Sequence, residues 1–197
     1  MHSKPNHLAM DMWEALNSDP TIDAFCITTN GFVKKNGCAV MGRGIAKQAK
    51  ERFHGIEYSL GRLLLKGVRT QIIPHIDNFY QHPPIISLPV KPAFGICNAD
   101  KSNVVPHMRK SQREYLKVPG WAMVADLDLI ARSLNELVSL CDRHSLENII
   151  LPRPGCGAGE LSFDKVKPLV DEILDDRFTV CTYPKVLEYL NKVGKTI

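Results

Sequence analysis

Asn148-Ile149-Ile150-Leu151 runs into Pro152-Arg153-Pro154-Gly155-Cys156-Gly157-Ala158-Gly159-Glu160-Leu161, an apolar strand-like stretch that breaks into three alternating glycines. Apolar positions at helical spacing return from Phe163 to Leu174. Three glycines in this pattern are more than a tight turn requires. Without a Cβ the main chain approaches an anion closely, and a helix start presents unpaired N–H groups and the positive end of its dipole. The stretch reads as strand, phosphate cradle, helix.

A second stretch of the same kind lies far upstream, Gly37-Cys38-Ala39-Val40-Met41-Gly42-Arg43-Gly44-Ile45-Ala46. Before it, Ile22 to Thr29 reads as a buried strand ending at Asn30-Gly31. After it, Ile45, Ala49 and Phe53 repeat every four residues and predict a helix. Each loop alone also fits a plain strand-to-helix turn, with Gly42 and Gly44 only relieving backbone strain. Together, two such cradles hold one diphosphate from opposite sides.

The remaining pattern alternates strands with helices. Asp11 to Asn17 predicts a short helix, Leu60 to Leu65 a weak helix or turn closed by Gly67, and Val68 to Ile73 a strand. Ile85 to Val90 predicts a strand stopped by Lys91-Pro92. Ala125 to His144 is the clearest helix, with Leu127, Ile130, Ala131, Leu134, Leu137, Val138 and Cys141 on one stripe. Phe178 to Tyr183 predicts a strand and Lys185 to Lys192 a terminal helix. The stretch 93–120 has little periodicity and reads as a long loop or insertion. Such alternation implies an α/β fold with a largely parallel, covered sheet, and ligands in these sheets sit beyond the carboxyl ends of the strands, where both glycine loops fall.

The chain has 197 residues, 44% of them hydrophobic, which is the size of one domain with its own core. Its net charge of +4 favours small anionic ligands and falls short of the dense basic stripe of a dedicated nucleic-acid binder, so sequence-specific DNA binding is not expected. The six cysteines form no CxxC pair and read as reduced thiols. The seven histidines make no HxxxH pair and no cluster with the cysteines, so neither a metal nor another cofactor is expected. No apolar run reaches membrane-spanning length and the first residues lack a secretory h-region. The expected compartment is the cytoplasm, or the nucleus in a eukaryotic cell.

The common nucleotide fingerprints fail: Lys47 follows Gly42-Arg43-Gly44-Ile45-Ala46 where a dinucleotide-binding turn needs a third small residue, and GxxxxGK[ST] is absent. At four places the chain instead resembles the macrodomains, ADP-ribose-binding α/β/α modules. Asp11-Met12-Trp13 resembles the element whose aspartate accepts from the adenine amino group. Thr28-Thr29-Asn30 resembles the strand end that brings an asparagine to the distal ribose, and Gly37 to Ala46 and Leu151 to Leu161 resemble the two ligand loops. The resemblance implies one macrodomain over residues 1–197, a three-layer α/β/α fold with a mostly parallel mixed sheet, and an inserted loop at about 93–120.

The wording of the loops is similar to the branch that holds the terminal ADP-ribose glycohydrolase and the ADP-ribose 1''-phosphate phosphatase. That likeness implies a hydrolase acting at C1'' of the distal ribose, with ADP-ribose or an ADP-ribosylated protein, nucleic acid or small molecule as partner. The alternative is a non-catalytic reader or sequestering binder of ADP-ribose or a derived nucleotide. The implied ligand-binding residues are Asp11, Met12, Asn30, Cys38, Val40, Met41, Gly42, Gly44, Ile45, Ala46, Pro152, Gly155, Cys156, Gly157, Ala158, Gly159, Leu161 and Tyr183. Ser87-Leu88-Pro89-Val90-Lys91 matches the strand that carries the catalytic lysine of those glycohydrolases, so Lys91 is the implied catalytic group and Glu160 its base or a ribose ligand. Where such enzymes place an aspartate in the second loop, this chain has Gly159. Each of these residues also has a plain reading: Asp11 as a first-turn carboxylate, Asn30 as a turn residue, Lys91 and Glu160 as solvated charges, Tyr183 as packing.

Overall fold

A computed structural model describes residues 3–74 and 82–192. Four strands carry the centre of the sheet: β2 (Ala24–Asn30), β4 (Ile85–Lys91), β7 (Ile149–Pro152) and β8 (Phe178–Thr182). Their Ile-, Val- and Phe-rich sequences are buried nearly throughout, as expected for strands covered on both faces. With β1 (Asn6–Ala9) and β3 (Gln71–Ile72) they form one sheet in the order β1-β8-β7-β2-β4-β3, parallel except for β3.

One face of the sheet is covered by α4 (Leu127–His144) and α5 (Phe163–Ile173), which contribute Ile130, Leu134, Leu137, Val166 and Val170 to a fully buried cluster with Ile86, Leu88 and Phe178. The opposite face is covered by α1 (Met12–Ser18), α2 (Gly44–Arg52) and α3 (Ile56–Leu65), through Trp13, Leu16, Ala49, Ile56 and Leu60 around Phe25, Ile27 and Ile85. Each such aliphatic side chain contributes about 1.5–3 kcal/mol on leaving water. The result is a three-layer α/β/α fold with a mixed, mostly parallel sheet. α6 (Pro184–Lys192) follows β8.

Three expectations need correction. The weak helix at Leu60 begins earlier, at Ile56, and its faint sequence signal has a cause: a Cβ on Gly61 would collide with the Gly37 carbonyl oxygen, so this helical glycine lets α3 pass against the first glycine loop. The strand at Val68–Ile73 is only the edge pair Gln71–Ile72, antiparallel to β4. The stretch 93–120 is not an irregular loop. It contains β5 (Phe94–Ile96) antiparallel to β6 (Lys117–Pro119) and a 3₁₀ turn at Pro106–Ser111, and its Cys97, Val104 and Val118 pack with the following Ala122 and Met123 in a small separate core.

Candidate functional site

Asn30 and Lys91 end adjacent parallel strands. Their pairing is brought about by a register shift, Thr29 opposing Pro89 while Asn30 opposes Lys91, so Val90 is skipped. Pro89 has no N–H to give the ladder, and an irregularity of this kind re-aims the side chains beyond it. Asn30 donates from Nδ2 to the Val40 carbonyl at 2.8 Å and accepts from the Phe32 N–H at 3.0 Å, which ties the strand end to the first glycine loop. One amide hydrogen and one lone pair remain for a ligand.

Lys91 is 6% exposed. Its Nζ donates to the Ala158 carbonyl at 2.6 Å and to the Trp121 carbonyl at 3.4 Å. Burial lowers its pKa to about 8, against a raising influence from the Glu160 charge and a further lowering from Arg43. Glu160 itself is exposed, at φ 64°, and makes no hydrogen bond to the lysine.

The two glycine loops face each other across a waist between two cavities. One, of about 370 Å³, is lined by Asp11, Met12, Trp13, Cys156, Leu161 and Tyr183 among others. The second, of about 380 Å³, is lined by Asn30, Val40, Gly42, Ala46, Lys91, Gly155, Ala158 and Gly159 among others. Gly44, Ile45, Pro152, Arg153 and Gly157 line both. The waist is suited to an anion. α1 and α4 are capped by Asp11 and Asp126, which accept from Trp13 N–H and Leu129 N–H, whereas α2 starts at Arg43-Gly44 with no side-chain cap and no acidic residue in its first turn. Its first N–H groups are left for a ligand. Gly42, Gly44 and Gly157 have open space where a Cβ would stand, so the main chain there is approachable.

Cys38 and Met41 are buried and line neither cavity; Met41 belongs to the core beneath the first loop. Asp11 is both an α1 cap and part of the first cavity's wall, so capping does not withdraw it from that wall. Gly159 is buried, and a Cβ there would meet the Gly155 carbonyl oxygen and, at 2.8 Å, the Ala125 methyl. No aspartate fits at this position in this loop conformation. The Cys156 thiol is pushed up to about 12 by burial, which leaves it protonated and a poor nucleophile near neutral pH.

Several wall residues were not singled out by the sequence, Arg153, His107, Trp121 and Gln48 among them. Arg153 stacks on Phe163, its guanidinium carbon 4.3 Å from the ring centroid, and lines both cavities. His107 and Trp121 reach the second cavity, the former from the 93–120 segment, and an Arg43 Nη1 lies 3.0 Å from the His107 ring. Gln48 lines the first cavity and accepts from the Trp13 indole at 2.8 Å. The sequence cue was the charge of Arg43 and Arg153 within the two glycine loops; their convergence with His107 is a product of the fold.

The chain matches no family model and no curated protein sequence. Among solved structures it is similar to macrodomains. The macrodomain of Mycobacterium tuberculosis DarG superposes with a TM-score of 0.60 at 16% identity, over 91% of this chain and 97% of that one. The macrodomain of Thermus aquaticus DarG gives 0.61 at 19% identity, over 92% and 98%. Thermosipho africanus DarTG, a structure in complex with ADP-ribose, gives 0.62 at 14% identity, over 93% of this chain and 44% of that chain. The protein therefore has a macrodomain fold.

Proposed function

We propose that the chain binds ADP-ribose across the two cavities and hydrolyses a group from C1'' of the distal ribose. The observation that carries this reading is the shared waist: two similar cavities meet between two glycine loops, so one ligand with a diphosphate in its middle fits both. Adenine belongs in the first cavity, where the free Asp11 oxygen accepts from its amino group and Tyr183 offers an aromatic face. The distal ribose belongs in the second, between Asn30 and Lys91. The ADP-ribose in the Thermosipho africanus DarTG structure supports the choice of ligand.

In the hydrolysis the bond from C1'' to the leaving group breaks, water supplies hydroxyl to C1'', and its proton ends on the leaving group. With a pKa of about 8, Lys91 is a free amine in about one molecule in ten at pH 7. That fraction is available to attack C1'' as the leaving group departs, forming a C1''–Nζ bond that water then cleaves to give C1''–OH and return the amine, while the ammonium supports departure of an anionic group. Glu160 stands at the rim beside Gly42, Arg43 and Gly157, as the base or a ribose ligand. Preorganised donors at the developing charge would supply most of the rate.

Calorimetry with ADP-ribose against AMP tests the shared site, since binding across both cavities strongly prefers the whole ligand. Incubation with ADP-ribose 1''-phosphate, with ADP-ribosylated DNA and with glutamate-ADP-ribosylated protein, following product release, tests the chemistry. One observation favours a second reading, a non-catalytic reader: the second loop has no room for a carboxylate at Gly159. A protein that binds ADP-ribose tightly and is inert on all three substrates establishes the reader.

A further inference from the structure

Away from the glycine loops, two further cavities join into one groove. The first, of about 270 Å³, is lined by Leu64, Val68, Arg69, Pro92, Leu129 and Arg132 among others. The second, of about 620 Å³, is lined by Arg69, Thr70, Asn135, Glu136, Ser139 and Arg143 among others. Gly67 and Arg69 line both, so the two are continuous. One wall is a stripe of α4 running from Leu129 through Arg132, Glu136 and Ser139 to Arg143, and the other is the connector from α3 to β3. Thr70 fixes that connector to α4: its N–H donates to Glu136 Oε2 and its hydroxyl to the Ser133 carbonyl, both at 3.4 Å. The groove is therefore formed before any partner arrives. Of its lining residues only Lys91, at the end of β4, also lines one of the two cavities between the glycine loops.

Its positive charges are unmatched. Arg69, Arg132 and Arg143 are exposed, and among the described residues none of them forms an ion pair. The carboxylates nearby are engaged elsewhere: Asp126 caps α4 at Leu129 N–H, Glu136 accepts from Thr70, and Asp142 pairs with Arg177. Between the guanidinium groups α4 offers acceptors. Asn135 and Ser139 donate to the main chain of α4, which leaves their side-chain oxygens able to accept. Cations alternating with acceptors complement a peptide, whose acidic side chains alternate with main-chain N–H groups. A nucleic-acid strand suits the groove poorly: among the described residues no aromatic side chain lines it for a base to stack on, and the Glu136 carboxylate repels phosphates. Exposed ion pairs contribute little each, so an apolar anchor is needed as well. Leu64, Val68 and Leu129 wall the end near β4 and supply its place. From Leu129 to Arg143 the helix rises about 21 Å, and an extended hexapeptide spans about 20 Å.

We propose that this groove binds an acidic peptide in extended form, with one apolar side chain between Leu64, Val68 and Leu129 and carboxylates on Arg132, Arg69 and Arg143. This goes beyond the ADP-ribose reading and needs no ligand at Asn30 or Lys91.

The experiment is fluorescence anisotropy with labelled Leu-Glu-Ser-Glu-Ser-Glu and its reverse, since either chain direction fits. Glutamine versions and the clustered Leu-Ser-Ser-Glu-Glu-Glu are the peptide controls. The proteins are wild type, Arg69→Gln, Arg132→Gln, Arg143→Gln, the triple variant and Lys165→Gln, which removes an exposed cation of α5. A spaced acidic peptide is expected to bind wild type about tenfold better than either control; each single arginine variant weakens it about three- to fivefold and the triple variant about thirtyfold, with Lys165→Gln within about twofold of wild type. No binding at about 1 mM peptide overturns the proposal, as does equal affinity for the clustered peptide or an equal loss in Lys165→Gln. A short oligothymidylate that binds more tightly than the peptide, and is lost in the triple variant, reassigns the groove to nucleic acid and overturns it too. Where the triple variant fails to fold, amide shift changes on titrating the wild type with peptide decide: they fall on 67–70 and 129–143, and changes confined elsewhere overturn the groove. A wild type that binds the peptide but refuses ADP-ribose overturns the ADP-ribose reading alone.

Discussion

The Lys91 ammonium donates to the Ala158 carbonyl oxygen at 2.6 Å, which ties the end of β4 to the second glycine loop. The group proposed to act at C1'' thus also holds the loop that carries the ligand. Burial costs the ammonium part of its hydration, two carbonyls replace some of it, and the lowered pKa measures the remainder. A lysine held this way has a fixed position and an accessible neutral form, two requirements of an amine nucleophile.

Lys91 makes pH the first test. If the free amine acts, turnover rises with pH and levels off above about 8, and Lys91→Arg, which keeps the charge but never becomes neutral, loses activity while still binding ADP-ribose. Stability follows the same group with a definite sign. Its pKa falls from 10.5 to about 8 on folding, so between these values the unfolded chain holds more protons and stability increases with pH. Below about 8 both states are protonated and the cost of the buried charge is fully present. Urea midpoints across this window will rise for the wild type relative to Lys91→Met, which has no such group to titrate.

Two glycines of the second loop separate packing from binding. Gly159 is enclosed by Gly155 and Ala125, so Gly159→Asp destabilises the fold by about 2 kcal/mol or more and restores no glycohydrolase-type carboxylate. Gly157 faces open space, so Gly157→Ala leaves the urea midpoint within about 0.5 kcal/mol of wild type while weakening ADP-ribose by about tenfold or more, because its new methyl stands where the ligand must lie. Denaturation and calorimetry on the two variants read both effects.

The strands at the centre of the sheet were legible because each is buried on both faces, and such a strand writes a continuous apolar run. β1 was not: Asn6, Leu8 and Ala9 are exposed on an edge strand, and only the pairing with β8 defines them. The glycine loops were legible because the demand for closely approachable backbone is local. Arg153 was not, since its place in the wall of both cavities is a product of the assembled fold. Cys38 and Met41 show the converse: they belong to a ligand-loop pattern, yet their side chains turn inward, away from both cavities.

Asp11 has two tasks that different substitutions separate. One of its oxygens caps α1 at Trp13 N–H, at 2.8 Å. Asp11→Ala loses that cap and about 1 kcal/mol of stability, read by urea denaturation, whereas Asp11→Asn keeps a capping oxygen and most of the stability. Both variants lose the second acceptor oxygen, so both lower the preference for ADP-ribose over the same ligand carrying hypoxanthine, whose ring has no amino group. Competition binding between the two nucleotides reads the change.

His107 belongs to the segment between β5 and β6, yet it lines the second cavity and lies 3.0 Å from Arg43 at the start of α2. It therefore covers the far end of the proposed ligand and leaves the adenine end untouched. His107→Ala removes this wall from an exposed position, so the stability cost is within about 0.5 kcal/mol. Its binding effect depends on the ligand: ADP, which ends at the second phosphate, binds as to wild type, while ADP-ribose weakens. Equal weakening of ADP and ADP-ribose would instead place His107 at the diphosphate, acting through Arg43. Parallel titrations of the two ligands into His107→Ala and Arg43→Ala decide between these, because only a diphosphate role makes the two variants lose ADP alike.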